Sequence, residues 1–210
     1  MSQDDNRRPI AARNTGWAQR LSAALAQSSI TPNQISVLSL FFAAIGAAML
    51  AWVPIPAGLA LAAVCIQLRL LCNLLDGMVA MEGGRKTATG ALYNEFPDRV
   101  ADSLLIVALG YGCGLPWLGW LGALLATLTA YVRLAGGSLG LVQDFRGPMA
   151  KQHRMAALTA ACVIGAIEGV LSGSRWSLLT AAVIIAVGAL LTCITRSLAI
   201  ARQLNDKDVA

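Results

Sequence analysis

Asn73, Asp76, Asn94 and Asp98 place oxygen donors inside otherwise apolar sequence. Asn73 and Asp76 are three residues apart, and Asn94 and Asp98 are four apart. At those spacings each pair shares one face of a helix. Polar and ionisable side chains are costly in a bilayer, so their presence in such segments points to a site. Convergent carboxylate and carboxamide oxygens suit a hard divalent cation. Such a cation would hold a diphosphate and neutralise charge as a phosphoryl bond breaks. Gly77 and Gly90 lie in the same stretch and leave room for a ligand to approach the backbone. Spacing alone also admits a polar packing cluster with no ligand.

A second polar layer lies beneath this one. If the segment ending at Met81 runs inward and the next runs back outward, depth follows from a rise of about 1.5 Å per residue. Asp76 and Asn94 then match in depth, as do Asn73 and Asp98, and Arg69 and Asp102. A buried arginine needs a carboxylate, so Arg69 and Asp102 are expected to form a structural ion pair.

These residues need rigid elements in an apolar solvent. The chain has 210 residues, 57% hydrophobic and 13% charged, with a mean hydropathy of +0.64. A soluble domain is about 25% charged, so the composition indicates an integral membrane protein. The expected fold is all-α: six transmembrane helices preceded by an N-terminal interfacial amphipathic helix. The spans fall at about 33–52, 57–81, 88–112, 116–141, 153–172 and 176–201, each near the bilayer requirement of about 20 residues. Residues 14–28, with Trp17, Leu21, Ala24 and Leu25 on one face, suit a helix lying in the interface. Residues 1–12 read as a disordered tail, 13–203 as one membrane domain and 204–210 as a second tail. The polar start, Met1 to Arg13, is unlike a signal peptide.

Basic residues set the orientation. Arg7, Arg8, Arg13 and Arg20, Arg85 and Lys86, Arg146, Lys151 and Arg154, and Arg196, Arg202 and Lys207 fall on one side; the other side has Arg175. By the positive-inside rule both termini and the polar stretch face the cytoplasm, with a bacterial inner membrane the expected location. The five cysteines have no metal-type spacing and read as buried thiols. No nucleic-acid partner is expected. Arg133 inside the fourth span, and Lys151 and Arg154 after it, could bind an anionic phosphate. Glu168 near the outer end of its span could pair with Arg175.

The spacing also resembles a family. CDP-alcohol phosphotransferases carry Asp-x2-Asp-Gly-x2-Ala-Arg-x8-Gly-x3-Asp-x3-Asp, which falls without a gap on Asn73, Asp76, Gly77, Ala80, Met81, Gly90, Asn94 and Asp98. Thr31 to Ser36 is similar to the family's entry into its first span. Three positions depart: Asn73 and Asn94 stand for aspartates, and Met81 for arginine. An alternative register, with Asp98 and Asp102 as the last two aspartates, needs four extra loop residues and loses the glycine.

The resemblance implies an enzyme of phospholipid biosynthesis. It would transfer a substituted phosphate, of phosphatidyl type, from a CDP-linked lipid such as CDP-diacylglycerol to an alcohol acceptor, releasing CMP. The cofactor implied is Mg2+ or Mn2+, one or two ions, held by Asn73, Asp76, Asn94 and Asp98. Asp98 would also be the base that activates the acceptor hydroxyl. Gly77, Ala80 and Gly90 would line the donor site, with Arg85, Lys86 or Arg99 replacing the motif arginine. Arg133, Lys151 and Arg154 would bind the acceptor or its phosphate, and a phosphorylated acceptor is favoured. A homodimer among membrane lipids is expected. A relative that binds nucleotide or lipid without turnover, and a small transporter, are the alternatives.

Overall fold

The structure is a computed structural model that describes residues 13, 15–81, 83–84 and 87–208, without the side chains of 207 and 208. The 1–12 tail and the loop cations Arg85 and Lys86 lie outside the described residues. Among the described residues there are seven α-helices and no strand: α1 (Gly16–Gln27), α2 (Pro32–Trp52), α3 (Pro56–Met81), α4 (Gly90–Gly112), α5 (Pro116–Ser138), α6 (Lys151–Leu171) and α7 (Trp176–Asp208). All five cysteines are free.

Local chemistry explains the boundaries. Thr31 and Gln34 form a reciprocal capping box at the start of α2, with Pro32 where its missing N–H costs nothing. α4 and α5 turn tightly through Gly114, whose φ of +80° favours glycine. Glu168 does not pair with Arg175. Its carboxylate accepts the backbone N–H groups of Trp176 and Ser177 at 3.1 Å each, capping the otherwise unsatisfied N-terminus of α7. α7 stays helical to Asp208, so residues 204–208 of the segment read as a tail continue the last helix.

Five helices, α2, α3, α5, α6 and α7, are long and apolar enough to cross a membrane. α4 matches α5 in length, but Glu95, Asp98, Arg99 and Asp102 crowd its first half. Large apolar side chains such as Phe41, Val64, Ile164 and Ile184 stand exposed on the outside of the bundle. A helix that is apolar on its outer face as well as its inner one fits a lipid surround.

The helix pairing closes a ring in the order α2, α4, α5, α7, α6, α3. The consecutive helices α3 and α4 hardly touch, because α2 packs between them. Polar faces of α3, α4 and α6 can therefore converge without their backbones meeting. Small residues permit the close crossings. A Cβ on Gly110 of α4 would lie 2.6 Å from the Cα of Gly119 in α5, and one on Gly136 of α5 2.9 Å from Ile200 in α7. α1 lies outside the ring, where buried Ala18 joins Leu74 and Met78 of α3. Its Trp17 and Leu21 remain exposed.

Gly110→Leu should destabilise the protein by about 1–3 kcal/mol through overpacking. The measurement is the unfolding midpoint in detergent. Gly16→Ala should leave the midpoint in place, since a Cβ there meets nothing within 4 Å.

Candidate active site

The deepest element is Arg69 of α3, which has no solvent exposure. Its Nη2 lies 2.7 Å from Asp102 Oδ1 and 3.1 Å from Asp98 Oδ1, both on α4. The expected partner Asp102 is thus present, but Arg69 straddles two carboxylates one helical turn apart. Arg154 of α6 closes the other side of Asp102, with Nη2 at 3.0 Å from Oδ2. Its Nη1 donates to the Met149 carbonyl at 2.8 Å. Arg154 was expected at the acceptor; its guanidinium is instead buried beneath Asp98, because Asp102 has a second oxygen to satisfy.

One turn higher, Asp98 is the meeting point of three helices. Asn73 Nδ2 of α3 donates to Asp98 Oδ1, and the Lys151 ammonium of α6 donates to Asp98 Oδ2. Lys151 occupies the first turn of α6 and is buried, with its stem along the bundle interior. Arg99 adds a cation 3.6 Å from Asp98 and also lies 3.2 Å from Glu95, so it is already engaged by acids of its own helix.

Asp76 has a different setting. Its Oδ2 accepts the Ser36 hydroxyl of α2 at 2.6 Å. Its Oδ1 is buried with no hydrogen-bond partner. No cation lies within ion-pairing distance of Asp76 among the described residues. Asn94, expected to face Asp76 at equal depth, is exposed near the loop, and Ser36 takes the position beside Asp76. Gly77 is open: a Cβ there would meet only the Arg13 guanidinium, at 3.9 Å. Ala80 is half-buried, as is Gly90, where a Cβ would meet the Thr87 hydroxyl at 3.3 Å.

These positions test the metal reading. An orphaned, buried carboxylate oxygen on Asp76 fits a cation ligand. Asn73 uses its NH2 on Asp98, which leaves its carbonyl oxygen available as a donor. Asp98 fits less well as a ligand, since both of its oxygens already face cationic or N–H donors. No group of three or more His, Cys, Asp or Glu side chains converges among the described residues.

Sequence reasoning singled out Arg133 in the wall opposite, but not the partners that it, Arg196 and Thr192 hold there. Arg133 of α5 donates to Glu95 of α4 at 2.7 Å and to Gln143, and its guanidinium lies 5.1 Å from the Phe145 ring centre. Arg196 of α7 donates to the carbonyls of Arg146 and Thr129 at 2.8 and 2.7 Å. Thr192 accepts the Met149 N–H at 2.9 Å. The 139–150 segment is therefore pinned onto α7, and this fixes where α6 starts and where Lys151 points. Within the segment, partial burial opposes the Asp144 carboxylate. Side-chain and backbone hydrogen bonds from Arg146 outweigh that and hold its pKa below the ordinary carboxylate range.

The sequence profile of the family described as CDP-alcohol phosphatidyltransferase matches residues 29–195. The chain belongs to this family. Archaetidylinositol phosphate synthase of Aeropyrum pernix is 32% identical over 179 residues, 85% of each chain. The bifunctional IPC transferase and DIPP synthase of Rubrobacter xylanophilus is 34% identical over 116 residues, 55% of this chain and 24% of that protein. The chain thus spans about a quarter of the Rubrobacter protein's length. The fold is shared with phosphatidylinositol phosphate synthase of Mycobacterium tuberculosis. Its structure with CDP-DAG bound gives a TM-score of 0.70 at 18% identity, covering 87% of this chain and 92% of that one. Its complex with manganese and citrate gives 0.72 at 19% identity, covering 87% and 88%. The CDP-alcohol phosphatidyltransferases are transferases of substituted phosphate groups, and this member is a multi-pass integral membrane protein.

Asp102→Ala would leave Arg69 and Arg154 short of a buried carboxylate. It should cost about 3–5 kcal/mol of stability, the penalty for breaking a buried pair. Unfolding in detergent measures this; a loss under about 1 kcal/mol would show the layer is not structural.

Proposed function

We propose that this protein transfers a phosphatidyl-type group from a CDP-linked lipid donor to a phosphorylated alcohol, releasing CMP. The observation that carries the reading is the meeting of Asp98, Asn73 and Lys151 from three helices, beside an Asp76 that keeps one buried oxygen free. Further support comes from the Aeropyrum relative, whose name specifies an inositol phosphate product, and from the Mycobacterium structure with CDP-DAG.

Asp76 would hold Mg2+ or Mn2+ together with the carboxamide oxygen of Asn73; Asn94, exposed at the start of α4, would have to turn inward to join them. When bound, the ion would neutralise the donor diphosphate and the departing CMP. The open backbone at Gly77 and Gly90, with Ala80 between them, would admit the donor head group. Arg13, beside Gly77, would supply positive charge where this chain has Met81 in place of the motif arginine; Arg85 and Lys86 belong to the same proposal. The acceptor hydroxyl gives its proton to Asp98, its oxygen bonds to the phosphorus of the donor, and the bond from that phosphorus to CMP breaks. Lys151 and Arg133 would favour an anionic acceptor at that position. Arg69 and Arg154 act beneath the site by fixing Asp98 and Asp102.

The membrane setting follows the same reading. α4 would be the sixth span, its acidic face turned into the ring and paired there. α1 would lie in the interface with Trp17 and Leu21 toward lipid. Both termini and the site would face the cytoplasm of a bacterial inner membrane, with the chain a homodimer.

Purified protein in detergent, given CDP-diacylglycerol and Mg2+ or Mn2+, should release CMP with inositol phosphate and far less with serine. Asp98→Asn should lower turnover about a hundredfold or more, the scale of general-base loss. Equal release with every acceptor would remove the phosphorylated-acceptor reading. Asn73, Asn94 and Met81 favour a second reading, donor binding without turnover. Cytidine-nucleotide binding with no CMP release, unchanged by Asp98→Asn, would select it.

A further inference from the structure

We infer that Lys151 serves as a built-in cation in place of one divalent ion, so that this site takes a single metal, at Asp76, and takes it together with the donor. The inference rests on the transfer reading only for the chemistry of the donor, a nucleoside diphosphate ester.

Charge decides where an ion can go. Asp98, Asp102 and Glu95 supply three negative charges, and Arg69, Arg99, Arg133, Lys151 and Arg154 lie against them with five positive ones. A divalent ion at Asp98 would add two more charges to a region already in positive excess. In a buried, weakly screened setting that repulsion is large. It would also evict Lys151 from the carboxylate that is its described partner, leaving a buried ammonium unpaired. Asp98 is therefore closed to a metal while Lys151 holds it.

Asp76 differs in each respect. It is 4% exposed, it pairs with a neutral hydroxyl, and its Oδ1 is unpartnered. An ion there meets a net negative charge and an oxygen that needs a partner. One carboxylate with carboxamides is a sparse ligand set. Mg2+ and Mn2+ sites of this kind are completed by substrate phosphates. The diphosphate of the donor supplies those oxygens, so ion and donor should bind together. Asn73 fits this scheme: its NH2 is spent on Asp98, and its carboxamide oxygen is left as a neutral donor for the ion at Asp76.

The test is the number of Mn2+ ions bound per chain, by equilibrium dialysis of the full chain in detergent, with and without CDP. The Mn2+ electron paramagnetic resonance spectrum is read on the same samples. The wild-type chain should bind one Mn2+ with CDP, at least about tenfold more weakly without it, and give an uncoupled spectrum. Asn73→Asp combined with Lys151→Met should bind a second ion and show spin coupling. Two coupled ions in the wild-type chain would overturn the inference, as would none with CDP present. A single ion in a folded double variant would overturn the role given to Lys151. The wild-type count decides alone if that variant fails to fold. CMP release is measured separately. One ion without CMP release sinks the transfer reading and leaves this inference standing; CMP release with two ions does the reverse.

Discussion

A guanidinium with no access to water must be met by carboxylates, and Arg69 is met by two. That requirement sets the geometry of the interior. It ties α3 to α4, whose backbones hardly meet because α2 stands between them. It leaves one Asp102 oxygen for Arg154 and so ties in α6. With Arg154 held, Lys151 one turn earlier is delivered to Asp98. A paired buried cation of this kind adds little net stability over an apolar substitute, but breaking it is costly. Its value here is placement: three helices are fixed in rotation by charges that cannot be left alone.

The layers above and below differ in what they leave unsatisfied. The lower layer of Arg69, Asp102 and Arg154 is mutually paired and has nothing to offer a ligand. The upper layer has Asp98 engaged and Asp76 half engaged. A binding site in low dielectric must keep some polar capacity uncommitted, at a cost in stability met elsewhere. The Oδ1 of Asp76, buried without a partner, is the capacity that the proposed site would use. The pinned 139–150 segment contributes by holding α6 at the height where Lys151 reaches inward.

Much of this was legible in the sequence, and the reasons for the rest are physical. Helical spacing and depth brought Arg69 to Asp102 and Asn73 to Asp98 without any knowledge of packing. The helix bounds were legible because Pro32, Pro56, Pro116 and the Thr31 cap punctuate the chain. The helix order around the ring was not, since apolar faces in lipid carry little information about which neighbour they meet. Hence Ser36 of α2 could not be foreseen as the partner of Asp76, nor Asn94 as exposed. Lys151 and Arg154 looked like one basic pair at a loop. Three residues of helix separate them into different layers, one at the site and one under it. α4 reads as charged by composition, and only the inward direction of its acids reconciles that with a ring of apolar helices.

We propose that Asp76 holds the one ion while Lys151 holds Asp98. Anomalous scattering from crystals of the protein with Mn2+ and CDP-diacylglycerol addresses it directly. The account predicts one Mn2+ peak, at Asp76 and the donor diphosphate, with the Lys151 ammonium still on Asp98. A second peak at Asp98, with Lys151 turned away, would contradict it.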